Sequence, residues 1–161
     1  MKTFSSRPPP RRRAGFTLVE IMIVVVIIGL LAALAIPAMG RVQRAAKINR
    51  IVNDIRVFAQ AFETYATQNP TWPANASAGA VPAGMSSADF KVSVWQATTA
   101  IGGRWNWDRN ISGFSAGISI SAFTVNDAQL IAIDAKLDDG DLATGNFRKV
   151  QVNRVMYILE E

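Results

Sequence analysis

One stretch constrains this chain more than any other. Residues Ile21 to Met39 read IMIVVVIIGLLAALAIPAM and carry no charged side chain. At ~1.5 Å of rise per helical residue, such a run crosses most of a ~30 Å hydrocarbon layer. A basic block, Arg11-Arg12-Arg13, precedes it, and Arg41, Arg44 and Lys47 follow it. One carboxylate, Glu20, sits just inside the apolar edge. A charge there costs roughly 2.5–3.5 kcal/mol on insertion scales, so it points to a function rather than to chance.

The order of features around the run is specific. An ordinary secretory signal places a small-residue cleavage site after its apolar core. Here a glycine, Gly15, stands before the core, followed by Phe16-Thr17-Leu18-Val19-Glu20. This arrangement resembles the class III signal of type IV pilins and of the pseudopilins of type II secretion systems. The likeness covers roughly Arg11 to Tyr65. It implies cleavage after Gly15, N-methylation of the new N-terminal Phe16, and assembly of the helices into a homo-oligomeric filament. It also implies that Glu20 pairs with the N-terminal amine of a neighbouring subunit, since two charges inside an apolar bundle are tolerable only as a pair. Gly29 and Pro37 match helix-softening positions of the same family. Gly15 suits the cut because the absence of a Cβ lets a peptidase approach the backbone closely.

Charge placement excludes some functions. The formal net charge of +5 suggests a nucleic-acid binder. However, Lys2, Arg7, Arg11, Arg12 and Arg13 all precede Phe16, and removing them leaves twelve basic residues against twelve acidic ones. No basic groove remains to supply the electrostatic term of DNA or RNA binding, and no nucleic-acid partner is expected. The chain has no Cys and no His. Disulfide staples, zinc sites and His-based triads are therefore out of reach, and no enzyme activity or cofactor is expected. The missing disulfide loop, the short head and the Tyr65/Trp72-Pro73 helix end all favour a pseudopilin over a surface-fibre pilin within the resemblance.

Downstream of the apolar run, the helical pattern continues. Ile48, Ile51, Ile55, Phe58, Phe62 and Tyr65 recur at spacings of three and four, with Arg50, Asn53, Arg56, Gln60 and Glu63 on the other side. One amphipathic helix is predicted, ending near Asn69-Pro70, and a bend or local melting is predicted between Gly29 and Pro37. Residues 71–87, rich in Pro, Ala, Gly and Ser, read as a long loop of the functional or mobile kind, with Trp72 plugging the helix end. From Ser86 the spacing fits a short capped helix, while Phe90, Val92 and Val94 alternate as in a strand, and both readings stand. Gly102-Gly103 signals a turn. Phe114 to Ala122 reads as a half-buried strand and Phe147 to Glu161 as strand-like. Asn126 or Asp127 caps a helix to about Leu137, with Leu130, Ile131, Ile133 and Leu137 inward.

The expected architecture is α+β and pilin-like: a long N-terminal helix packed on a small antiparallel sheet. The expected divisions are a leader at 1–15, a membrane or filament-core half-helix at 16–39, an amphipathic half at 40–69 and a head at 70–161. Trp95, Trp105 and Trp107 are expected to fill the head's core. Asp134, Asp138, Asp139 and Asp141 form the densest acidic cluster. Hard oxygen ligands suit Ca²⁺, but the D-x-[DN]-x-[DN]-G pattern is absent, and the cluster is read as a solvated, exposed turn with no metal.

The functional expectation is a structural filament subunit, most of all a pseudopilin of a type II secretion-like system. The implied partners are a prepilin peptidase, an inner-membrane assembly platform and other minor pseudopilins. The implied location is the bacterial inner membrane, with the N-terminus cytoplasmic and the head periplasmic. The alternatives are a single-pass anchored binding domain that never polymerises, or a minor pilin in DNA uptake.

Overall fold

The computed structural model describes residues 15–161, apart from the side chains of residues 37 and 38. Arg11-Arg12-Arg13 and the rest of the basic leader lie outside the described residues. The chain divides into two compact units, the first ending at Arg41 and the second running from Val42 to Glu161.

Helix α1 spans Leu18–Gln68. Within the first unit its apolar side chains are exposed throughout, from Leu18 at 76% to Ile36 at 71%. The helix is unbroken through Gly29 and Pro37, so the predicted local melting is absent from the isolated chain. Helical backbone needs no partner at Gly29, and Pro37 forfeits only the bond to the Ala33 carbonyl, which the turns on either side can carry.

In the second unit α1 becomes amphipathic, as its spacing predicts. Ile51, Ile55, Phe58 and Phe62 are buried, with Ile48 and Tyr65 packed at the edges of the same core. The helix ends where Asn69 donates both its backbone N–H and its side-chain amide to the Tyr65 carbonyl, at 3.0 and 2.9 Å. This satisfies one of the orphan carbonyls of the last turn.

The remaining elements are α2 (Val92–Trp95), β1 (Arg104–Ile111), β2 (Phe114–Ser121), α3 (Asp127–Leu137), β3 (Phe147–Gln151) and β4 (Arg154–Glu160). The four strands form one antiparallel sheet in the order β1-β2-β4-β3. The β1–β2 hairpin closes on Ser112 and Gly113, both with positive φ, the two-residue geometry whose twist matches the flanking strands. Of the two readings left open after Ser86, neither a longer helix nor a strand forms. Ser86 and Asp89 close a turn on each other, and α2 follows as a single turn.

One face of the sheet carries Trp105, Trp107, Ile118, Ile120 and Val155 into the core formed with α1. Trp107 stacks on Phe62 at 3.9 Å and 6°, while Phe58 meets Trp95 and Trp105 edge-on at 4.9 and 5.1 Å. The indole N–H groups tie the 71–87 segment down: Trp107 Nε1 donates to the Pro73 carbonyl and Trp95 Nε1 to the Ala80 carbonyl, at 2.9 and 2.8 Å. Gly79 also donates to the Trp105 carbonyl at 2.7 Å. The segment expected to be mobile or functional is thus a strap that covers the β1 edge.

The half-buried reading of β2 needs correction, because Ser119 on its outer face is fully buried. There Asp108, 2% exposed, accepts hydrogen bonds from Ser119 Oγ and from Asn106 Nδ2, and pairs with Arg154 at 3.5 Å. The outer face is polar yet closed, and its charge is compensated in place.

Candidate functional site

The candidate assembly segment lies wholly in the first unit. Helix α1 opens on a reciprocal cap. Glu20 N–H donates to Thr17 Oγ1 at 3.2 Å, while the Glu20 carboxylate accepts from Thr17 N–H and Thr17 Oγ1, both at 2.8 Å. This is a capping box, and it gives Glu20 a local task that the sequence reading missed. The signal was present as Thr17-Leu18-Val19-Glu20, a Thr-x-x-Glu ahead of an apolar run. The cap also orients the carboxylate toward the start of the helix, beside the chain position where cleavage would create a new amine.

Gly15 stands before the helix in non-regular backbone, with open space wherever a Cβ would be built. Phe16 is 85% exposed. Behind them Leu18 to Met39 spans 22 helical residues, about 33 Å at 1.5 Å per residue, enough for a hydrocarbon layer. Gly29 has no neighbour within 4 Å of a Cβ position, so within the isolated chain nothing packs on it. The structure therefore brings Glu20 and Thr17 together near the expected cut and leaves Gly29 without a partner.

In the second unit, Trp72 leans on Trp107 at 5.5 Å, and its indole N–H donates to Glu160 Oε2. It closes the end of the head, in keeping with the plug expected for it. The acidic cluster departs from expectation. Asp134 is completely buried, and neither of its carboxylate oxygens has a hydrogen-bond partner. The reason is helical phase: Leu130, Ile133, Asp134 and Leu137 share the inward face of α3, whereas Ile131, expected inward, is rotated out and 44% exposed. Asn126, not Asp127, caps this helix, accepting from Gln129 N–H at 3.1 Å.

The described residues thus combine an exposed apolar half-helix, a capped carboxylate at its start and a small α+β head. Residues 10–36 match the prokaryotic N-terminal methylation motif. That motif takes in 27 of the 161 residues, all of them in the N-terminal segment.

More particularly, the chain is similar to type II secretion system core protein G. It is 43% identical to that of Pseudomonas aeruginosa over 63 residues, 39% of this chain and 44% of that protein. Against the Aeromonas hydrophila protein it is 38% identical over the same shares. Against the Escherichia coli protein it is 43% identical over 38% of this chain and 43% of that one. The chain therefore matches less than half the length of these curated relatives. It is also similar to the major type IV pilin PilA1 from Clostridium difficile at 13% identity, over 75% of this chain and 98% of that one, with a TM-score of 0.48.

Proposed function

We propose that this chain is a pseudopilin-type structural subunit of a type II secretion-like system. It is inserted in the inner membrane by residues 16–39, cut after Gly15 and N-methylated on Phe16. It is then polymerised through its N-terminal helix, with the head of residues 70–161 carried by the amphipathic half at 40–69. The observation that carries this reading is the contrast along one helix. Residues 18–36 expose their apolar side chains, while Ile51 to Phe62 complete a closed aromatic core. An exposed surface of that size calls for a bilayer or for other copies of the same helix. The work is mechanical rather than catalytic. Its partners are copies of itself, minor pseudopilins, a prepilin peptidase and an inner-membrane platform. The N-terminus faces the cytoplasm and the head faces the periplasm.

The capping box makes a clean test possible. Glu20→Gln keeps an acceptor for the Thr17 N–H but removes the charge. It should insert and be processed to an N-terminal Phe16, as read by mass spectrometry, yet fail to form filaments by electron microscopy and crosslinking. Normal filaments from this variant would refute the pairing role of Glu20. A wild-type protein that stays monomeric alongside its assembly machinery would favour an anchored binding domain instead.

A further inference from the structure

The stretch of α1 that follows the apolar run carries a charge pattern that insertion alone does not require. Between Gly40 and Ile51 it reads RVQRAAKINR, with four basic residues and no acidic one. Arg50 pairs with Asp54 at 3.8 Å, but among the described residues Arg41, Arg44 and Lys47 enter no ion pair. All three are exposed. In the topology proposed above this belt lies on the periplasmic side, where the positive-inside rule gives no reason for one. Like charges three residues apart on one helix repel each other, so the belt calls for an anionic partner.

Arg44 differs from its neighbours in what it faces. It stands four residues before Ile48, on the stripe that continues as Ile48, Ile51 and Ile55 into the core of the head. Arg44, Ile48, Asn126, Ala128, Gln129 and Ala132 line a groove of about 430 Å³ between α1 and α3. That volume lies within the ~300–1,000 Å³ of small-molecule sites. The α3 side brings no uncompensated charge of its own. Asn126 Oδ1 already accepts from Gln129 N–H, and Asp127 is held by Lys149 at 2.6 Å. The Arg44 guanidinium is thus the charged group of the groove, and Lys47 follows it by three residues on the same helix.

Depth selects the partner. Arg44 follows Met39, the last residue of the apolar run, by five residues, about 7.5 Å at 1.5 Å per helical residue. The polar layer outside a ~30 Å hydrocarbon core adds roughly 5–7.5 Å on each side. An arginine on its long apolar stem therefore reaches the level of the lipid phosphates. We propose that the groove between Arg44 and α3 seats the headgroup of an anionic phospholipid, with Lys47 as a second contact to the phosphate. The guanidinium offers paired N–H donors to two phosphate oxygens, the geometry that suits arginine to this anion. Ile48, Ala128 and Ala132 take the glycerol backbone, and Gln129 supplies a polar side chain for the headgroup hydroxyls. The inference rests on the membrane-inserted reading above and names the lipid class that the inserted subunit holds.

The test uses the full chain in nanodiscs of phosphatidylcholine containing a trace of spin-labelled phosphatidylglycerol or spin-labelled phosphatidylcholine. The motionally restricted fraction of each label gives the relative affinity. The wild type should prefer phosphatidylglycerol about fivefold, the contribution of one basic residue at an anionic surface. Arg44→Gln should remove most of this preference. Ala132→Leu, which keeps every charge and fills the groove, should remove it as well; if it lowers the urea midpoint of the head, Ala128→Leu takes its place. Arg56→Gln, twelve residues further along the helix, should leave the preference intact. The proposal is overturned by no preference in the wild type, or by one undiminished in Arg44→Gln. A preference that survives filling of the groove overturns the seat and leaves only diffuse attraction to the surface. Displacement of the labelled lipid by inorganic phosphate overturns the lipid assignment. Absence of preference together with weaker subunit crosslinking in Arg44→Gln gives the cations to carboxylates of a second copy, and overturns it too. Retention in phosphatidylcholine bilayers after alkaline extraction is scored alongside. A chain that washes out fails the membrane reading itself, whereas one that stays without preference fails this proposal alone.

Discussion

Removing the Phe62 ring tests whether the second half of α1 is the core of the head or a strut laid against it. Phe62 is 0% exposed and touches three other aromatic rings: Trp107 stacked at 3.9 Å, Trp95 at 5.6 Å and Phe90 at 6.0 Å. Phe→Ala in a closed core costs about 3–5 kcal/mol, the transfer of the ring plus the cavity it leaves. A favourable aromatic pair is worth a further ~0.5–1.5 kcal/mol. The neighbours here are large, rigid indoles on a hydrogen-bonded sheet that cannot collapse into the gap, so Phe62→Ala should lose about 4 kcal/mol. Against a total of ~5–15 kcal/mol, this is a large fraction. With a urea m-value near 2 kcal/mol/M, the midpoint should fall by about 2 M. All four tryptophans, Trp72, Trp95, Trp105 and Trp107, lie in the head, so their emission reports its unfolding even in the full chain in micelles. Val57→Ala, on the same helix at a position 46% exposed, is the control and should shift the midpoint little. A Phe62→Ala midpoint as close to wild type as that of Val57→Ala would refute the packing argument.

Gly103→Ala should destabilise the head by about 3 kcal/mol or more, seen by the same denaturation. Gly103 has φ +73°, and a Cβ there would lie 2.1 Å from the Ser121 carbonyl, a backbone atom that cannot step aside. Asp108→Ala should cost about 3–5 kcal/mol, because it strands Arg154 and the Asn106 and Ser119 donors on a closed sheet face. Stability should fall as pH rises from about 4 through 6: the folded state holds a proton on Asp134 that the unfolded state, titrating near 3.8, has already released. The shift corresponds to roughly 3 kcal/mol at 1.36 kcal/mol per unit, and Asp134→Asn should flatten this slope in urea midpoints measured across the range.

What could be read from the sequence was what repeats locally. The stripe from Ile48 to Tyr65 follows from 3- and 4-residue spacing alone, and the caps of α3 from residue type. The errors arose where a local pattern met a long-range partner. β2 alternates apolar residues with serine and glycine, as a half-buried strand should. Ser119 is nevertheless buried, because Asp108 arrives from β1 to accept its hydroxyl and is itself paired with Arg154 of β4. The 71–87 segment looks flexible by composition and is held by the indoles of Trp95 and Trp107, distant in sequence. Asp134 was a failure of another kind. Its place four residues after Leu130 already put it on the inward face, but the neighbouring acids drew it into a surface reading.

The two halves of α1 solve opposite problems, and this divides their mutations. Side chains between Leu18 and Ile36 have no partners in the chain, so shortening one removes nothing from the folded head. Ile27→Ala, at a position 51% exposed, should leave the urea midpoint of tryptophan emission unchanged. It should weaken subunit-to-subunit crosslinking, because burial of that side chain comes only from lipid or from another helix. Phe62→Ala should do the reverse, lowering the midpoint while the exposed apolar half still associates below the denaturing transition. The filament reading rests on that separation. A chain in which Ile27→Ala unfolds the head, or leaves crosslinking intact together with its neighbours Val24→Ala and Leu31→Ala, would not be using this helix as an assembly surface.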